Sequence, residues 1–173
     1  MILTEQLVCD RVIVRAAVIK PDRSSPPTPR AQILMVKRAG AGGGGGAPDA
    51  AAGTYELPGG DVDETDLSIQ DALARQLRAT TGLTLREVLL QLANVSFPSQ
   101  QRPTSAHAGT VARTRIVLQV TYLVSAGDEA ISLGAQEHSE ATWVDLDNIK
   151  GLPMADETHS IVAQALETWD LAP

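Results

Sequence analysis

The sequence predicts an α/β domain, and three observations carry that expectation. Runs dense in β-branched and aliphatic residues recur along the chain, and two segments, 69–81 and 157–169, place apolar side chains at helical spacing. The 173 residues, 43% of them apolar, suffice for one hydrophobic core, so a single domain over residues 1–173 is expected.

In chain order, residues 11–20 are apolar and β-branched until Pro21 and Asp22 stop the run, which predicts a strand covered on both faces. Residues 23–30, rich in Ser and Pro, predict a loop, and residues 31–38, with Ile33, Leu34, Met35 and Val36, predict a second strand that returns as a hairpin. Residues 40–53 hold five consecutive glycines, Gly42 to Gly46, together with Pro48 and several alanines. That composition cannot offset the entropy of its own ordering, and a mobile loop is expected. Tyr55-Glu56-Leu57-Pro58-Gly59-Gly60 forms a short extended piece that ends in a glycine turn, followed by the acids Asp61, Asp63, Glu64 and Asp66. Ser68 with Asp71 three residues on has the pattern of a helix cap. Ile69, Ala72, Leu73 and Leu77 then share one helix face until Gly82 supplies the stop. Residues 83–97 are strand-like, 100–109 a loop, 113–124 a strand of clear alternation, 142–146 a last short strand, and 157–169 an amphipathic helix.

Composition excludes several classes of function. The longest apolar runs fall far short of the roughly 20 residues of a membrane span. The net charge of −7 disfavours polyanions such as DNA, and aromatics at 3% leave no stacking platform for single strands. One cysteine, Cys9, excludes an internal disulfide and points to a reducing compartment, and residues 1–8 lack a basic start and an apolar stretch, so a cytoplasmic protein is expected. The expected partner is a small-molecule substrate, with no nucleic acid and no membrane, and a homodimer is left open.

Residues 59–83 resemble the Nudix signature, a loop-helix-loop built on a glycine, a spaced glutamate, an Arg-Glu-aliphatic step, a Glu-Glu pair and a Gly-aliphatic exit. Leu57-Pro58-Gly59-Gly60 matches the entry loop, Arg75 the arginine, Leu77 the aliphatic position and Gly82-Leu83 the exit. Residues 11–38 look like the family's opening strands, Glu137-His138 with Trp143-Val144 like its late loop and strand, and residues 157–169 like its final helix. The resemblance implies an α/β/α sandwich with a mixed β-sheet between helices.

The carboxylates of the signature do not follow the frame. Gln76, Ala79 and Thr80 stand where the family places glutamates, and the earlier glutamate falls at Leu67, or at Asp66 after a one-residue insertion. Mg²⁺ depends on carboxylate charge to offset its reluctant dehydration, which an amide, a methyl and a hydroxyl do not supply. No metal and no cofactor are therefore expected. The resemblance gathers Glu56, Glu137 and His138 as candidate catalytic groups, with Arg75, Arg78, Asp66 and Trp143 as candidate substrate-binding residues. Burial would raise the pKa of Glu56, and Arg75 beside it would oppose the rise; a purely structural Glu56–Arg75 salt bridge is an equal alternative.

Three functions follow in rank order. The first is an enzyme repurposed for metal-independent acid/base chemistry, such as isomerisation, cyclisation or dehydration, on a small organic metabolite. The second is a residual metal-dependent diphosphate hydrolase using Asp66, Glu56 and Glu137, and the third a non-catalytic small-ligand binding protein.

Overall fold

The structure, a computed structural model, describes residues 7–22, 30–40, 51–98, 114–134 and 137–170. Strand β1, Leu7–Asp22, is the spine of the sheet, because its 16 residues are long enough to meet different neighbours along their length. Its end pairs antiparallel with β2, Arg30–Arg38, through Ile19↔Ile33, which is the expected hairpin. Its middle pairs antiparallel with β4, Gly59–Asp61. Its other edge runs parallel to β7, Thr114–Ala126, over most of its length. The two-residue strand β3, Tyr55–Glu56, and β8, His138–Val144, flank β2, whereas β5, Leu85–Gln91, and β6, Val95–Pro98, both pair antiparallel with β7. The result is one mixed sheet of eight strands among the described residues.

Alternation along β1 divides the core into two layers. Val14, Ala16 and Val18 point to one face, where they pack with Leu34 and Val124 beneath helix α1, Ile69–Thr81. Ala17 and Ile19 point to the other, where they pack with Ile33, Met35 and Leu123 beneath helix α2, Asp156–Asp170. Helix α1 buries Ala72, Leu73 and Leu77, and α2 buries Ile161, Val162, Ala165 and Leu166. The sandwich implied by the signature is thus the observed architecture.

The start of α1 follows from its sequence. Ser68 Oγ accepts from the Asp71 backbone N–H at 3.1 Å and donates to the Asp71 carboxylate at 2.8 Å. At the far end Gly82, at φ 75°, closes the helix by donating to Arg78 O at 2.8 Å.

Three expectations are corrected. The first strand runs beyond 11–20 at both ends, held by its parallel partner. Residues 83–97 divide into β5 and β6, because Leu92 turns its side chain into the core between them. The last strand begins at His138 and not at residue 142, because the polar stretch 138–141 is held in register with Val36, Lys37 and Arg38 of β2. The expected loop at 100–109 and residues 41–50 of the glycine-rich segment lie outside the described residues.

The layering predicts a contrast between two leucines that the sequence alone does not distinguish. Leu77→Ala, at a fully buried position, is expected to cost about 3 kcal/mol of unfolding free energy. Leu67→Ala, where the side chain is 95% exposed, should change stability by less than about 0.5 kcal/mol. Urea melts of both variants against the parent check the pair.

Candidate functional site

Glu56 is the most constrained ionisable group described. Strand β3 holds it: Tyr55 fixes the strand from its buried side, with its backbone N–H on Pro153 O at 2.7 Å and its hydroxyl donating to Glu140 at 2.8 Å. The next side chain, Glu56, turns among groups from three other strands. Arg15 of β1 donates from Nη2 to Oε2 at 3.1 Å, and Arg38 of β2 stands 3.5 Å from the same oxygen. His138, the first residue of β8, faces Oε1 through Nε2 at 3.0 Å. Arg15 is fixed further by donating from Nη1 to Leu57 O at 3.0 Å.

The Glu56 side chain is only 17% exposed. Burial pushes its pKa up, but the hydrogen bond from His138 and the charges of Arg15 and Arg38 together outweigh that, and the carboxyl is held below the usual range. An ionised Glu56 accepts from His138 Nε2–H, an arrangement that in a neutral imidazole leaves Nδ1 as an acceptor. Nδ1 is buried and meets no hydrogen-bonding partner among the described residues.

The cluster opens on a cleft of about 360 Å³ whose lining includes Arg11, Asp61, Gln76 and Glu137. Arg11 and Asp61 form an ion pair across it. Glu137 is exposed at this lining, and its backbone carbonyl accepts from the Ala39 N–H at 2.8 Å. The floor is the glycine turn. A Cβ on Gly59 would lie 2.0 Å from Val14 O, so only glycine lets the turn press this closely on β1, and a Cβ on Gly60 would lie 2.6 Å from the Gln76 side chain.

Arg75 does not reach Glu56. It forms a bidentate pair with Asp66, at 2.6 and 2.8 Å, and donates to Asp61 O at 3.0 Å. Asp66 is almost wholly covered by this contact, and the guanidinium pulls its pKa down to about 2. The expected Glu56–Arg75 pair is therefore replaced by two separate pairs, Arg15–Glu56 and Arg75–Asp66. Arg78 is exposed and donates to Thr84 Oγ1 at 3.1 Å, outside the cleft lining. Trp143 also lies outside it. Its ring carries Lys20 Nζ 3.8 Å from the centroid and borders a different hollow with Val18, Leu83 and Ile131. The structure brings Glu56, Glu137 and His138 together, then, and leaves Arg75, Asp66, Arg78 and Trp143 apart from them.

Asp61, one of the acids of the loop after the glycine turn, does line the cleft, whereas Arg15, Arg38 and Arg11 are not singled out by the sequence. Arg15 carried a signal: it is a lone cation inside a β-branched run, and a covered strand pays for such a residue only with a partner.

The donor set does not fit the divalent metal that the signature implies. Gln76 spends its amide on Asp61 O at 2.7 Å, Ala79 is an exposed methyl, and Thr80 is buried. Asp66 is taken up by Arg75, Asp61 by Arg11, and Glu56 by two guanidiniums. Among the described residues no three His, Cys, Asp or Glu side chains are grouped to hold a metal ion.

Residues 14–166 match the family model described as NUDIX domain. Among solved structures, a MutT NUDIX hydrolase from Burkholderia pseudomallei is similar at 24% identity and a TM-score of 0.59, over 94% of this chain and 98% of that one. The NUDIX domain of Shewanella oneidensis NrtR complexed with ADP ribose is similar at 22% identity and a TM-score of 0.59, over 96% and 90%. The E. coli ORF135 protein is similar at 19% identity and a TM-score of 0.62, over 98% and 96%. No curated protein matches the sequence.

The two pairs predict distinct losses. Glu56→Gln leaves two guanidiniums facing a neutral amide in a covered site and is expected to cost about 3 kcal/mol in a urea melt at pH 7. Asp66 and Glu56 both have depressed folded pKa values. Their stabilisation is complete above the unfolded carboxylate value of about 4 and is lost as pH falls through their depressed folded values, about 2 for Asp66. Urea midpoints should therefore fall between about pH 5 and pH 2, and Asp66→Asn should flatten that slope.

Proposed function

The chain belongs to the NUDIX domain family, and from that premise we propose that it acts on a small organic metabolite by metal-independent acid/base chemistry in the Glu56 cleft. One observation carries the proposal: the helix that should supply metal-binding carboxylates supplies none, while every oxygen of Glu56 is committed to Arg15, Arg38 or His138. Glu56 is the fixed anion of the site. Held below the usual carboxylate range, it stays ionised at neutral pH and is a poor proton donor there. It holds Arg15 and Arg38 as hydrogen-bond donors toward an acceptor group on the ligand. Proton transfer falls to Glu137, the exposed carboxylate of the lining, with His138 behind Glu56 as the group that steadies it. Such a site suits isomerisation, cyclisation or dehydration, in which a proton moves and no diphosphate is cleaved.

With a net charge of −7, the proposal includes neither nucleic acid nor an anionic membrane as partner. No helix among the described residues is long and apolar enough to cross a membrane. The single cysteine supports a reducing compartment, the cytoplasm.

A second hypothesis, metal-dependent diphosphate hydrolysis with Asp66, Glu56 and Glu137, draws on the similarity to a protein named as a hydrolase. It requires Asp66 to leave Arg75.

Two measurements decide between them. Calorimetric titration with Mg²⁺ or Mn²⁺ should show no stoichiometric site at sub-millimolar affinity, whereas such a site, lost in Asp66→Asn, would contradict the metal-free reading and put the hydrolase first. Turnover of a candidate metabolite should survive excess EDTA and fall by roughly 10²- to 10⁴-fold in Glu137→Gln. Activity undiminished in Glu137→Gln, Glu56→Gln and His138→Ala alike would contradict the assignment.

A further inference from the structure

A second chamber of about 380 Å³ lies on the far side of the Arg15–Glu56 pair. It shares only Arg15 and Glu56 with the polar cleft among the described lining residues. Its walls differ in character. Tyr55 and Leu57 come from β3 and its exit, and Val95 and Phe97 from β6, with Thr54, Ser96, Gln119 and Thr158 as neutral polar groups between them. Phe97, one of the chain's few aromatic residues, is 39% exposed and borders this chamber, where its ring offers a ligand apolar surface.

The charges of the two chambers nearly cancel. The polar cleft holds Arg11, Arg15 and Arg38 against Glu56, Asp61 and Glu137, and the apolar chamber adds Glu157. Each guanidinium already faces a carboxylate, Arg11 on Asp61 and the other two on Glu56. A diphosphate would bring two or more negative charges into a region that, among the described residues, holds three cations, four carboxylates and no group of ligands for a neutralising metal.

We infer that the ligand of this protein is an uncharged or singly charged organic molecule. Its apolar body lies in the Phe97 chamber and its single acceptor group reaches Arg15 across the Glu56 partition. This names the ligand class of the metal-independent site proposed above and rests on that proposal. The chamber sets specificity through the shape of Tyr55, Val95 and Phe97. The partition rejects polyanions, because a phosphate in contact with Arg15 would also stand against the Glu56 carboxylate.

A matched series on one ring tests it by calorimetry on the full chain in excess EDTA: 1-naphthol, 1-naphthoate and 1-naphthyl phosphate, with ADP-ribose as the diphosphate. Naphthol and naphthoate are expected to bind, and the phosphate to bind at least about tenfold more weakly than naphthol. Phe97→Ala, at a half-exposed position that does not threaten folding, should weaken naphthol about tenfold. Asp61→Asn, which releases Arg11, should strengthen the phosphate about threefold. Failure of the whole naphthyl series to bind, or binding indifferent to Phe97→Ala, overturns the chamber assignment. ADP-ribose or naphthyl phosphate binding more tightly than naphthol in EDTA overturns the charge argument and leaves the metal-free site standing. The same order appearing only when Mg²⁺ replaces EDTA overturns both.

Discussion

The site depends on one largely covered carboxylate shared by two guanidiniums and an imidazole. Taking Glu56 out of water is costly, and only the convergence of Arg15, Arg38 and His138 from three separate strands makes its ionised form the favoured one. That convergence requires β1 to pair with β2 and β4 at once, and β8 to start early enough to place His138 beside Arg38. It also requires Gly59, since any side chain there would push the turn off β1 and carry Leu57 O away from Arg15. The sheet's register and the charge balance of the cleft are therefore one constraint seen at two scales.

The loop before α1 is anchored on that helix by direct contacts: Arg75 clamps Asp66 and the Asp61 carbonyl, and Gln76 donates to that same carbonyl. An amide can donate to a backbone oxygen where a glutamate could not. Gln76 thus braces the loop, and the turn holds its shape through hydrogen bonds made within the chain. Thr81 continues the pattern at the helix end, bonding Leu77 O at 2.8 Å and receiving the Leu83 N–H at 3.2 Å.

Much of the fold was legible because it follows from periodicity and caps. Ser68, Gly82 and the spacing of Ala72, Leu73 and Leu77 define α1 within a residue, and the β-branched runs locate β1, β2 and β7. The short strands were not legible, since two residues at Tyr55–Glu56 and three at Gly59–Asp61 carry no period and owe their form to the neighbours that pair with them. The start of β8 was hidden for a similar reason, because polar residues 138–141 read as a loop until Lys37 and Arg38 supply the ladder. Within the site, Glu56 and His138 could be named from their motifs, but their partners could not. Arg75 of the signature was the obvious cation for Glu56, yet helix geometry aims it back at Asp66, while Arg38 and Arg15 reach Glu56 from β2 and β1. Charge partners of long sequence separation depend on topology, which local pattern does not encode.

The central claim is that Glu56 is ionised and held as a fixed anion, and its carboxyl titration tests this most directly. Carbon-detected NMR of the ¹³C-labelled protein, with the Glu56 resonance assigned by its loss in Glu56→Gln, follows that group alone as pH is lowered. The account predicts a midpoint below the ordinary glutamate value of about 4.3, moving upward when Arg15 is replaced by Met. A midpoint well above that value in the parent protein would contradict it, because Glu56 would then be a buried acid governed by desolvation, and the charge balance assigned to the cleft would not exist.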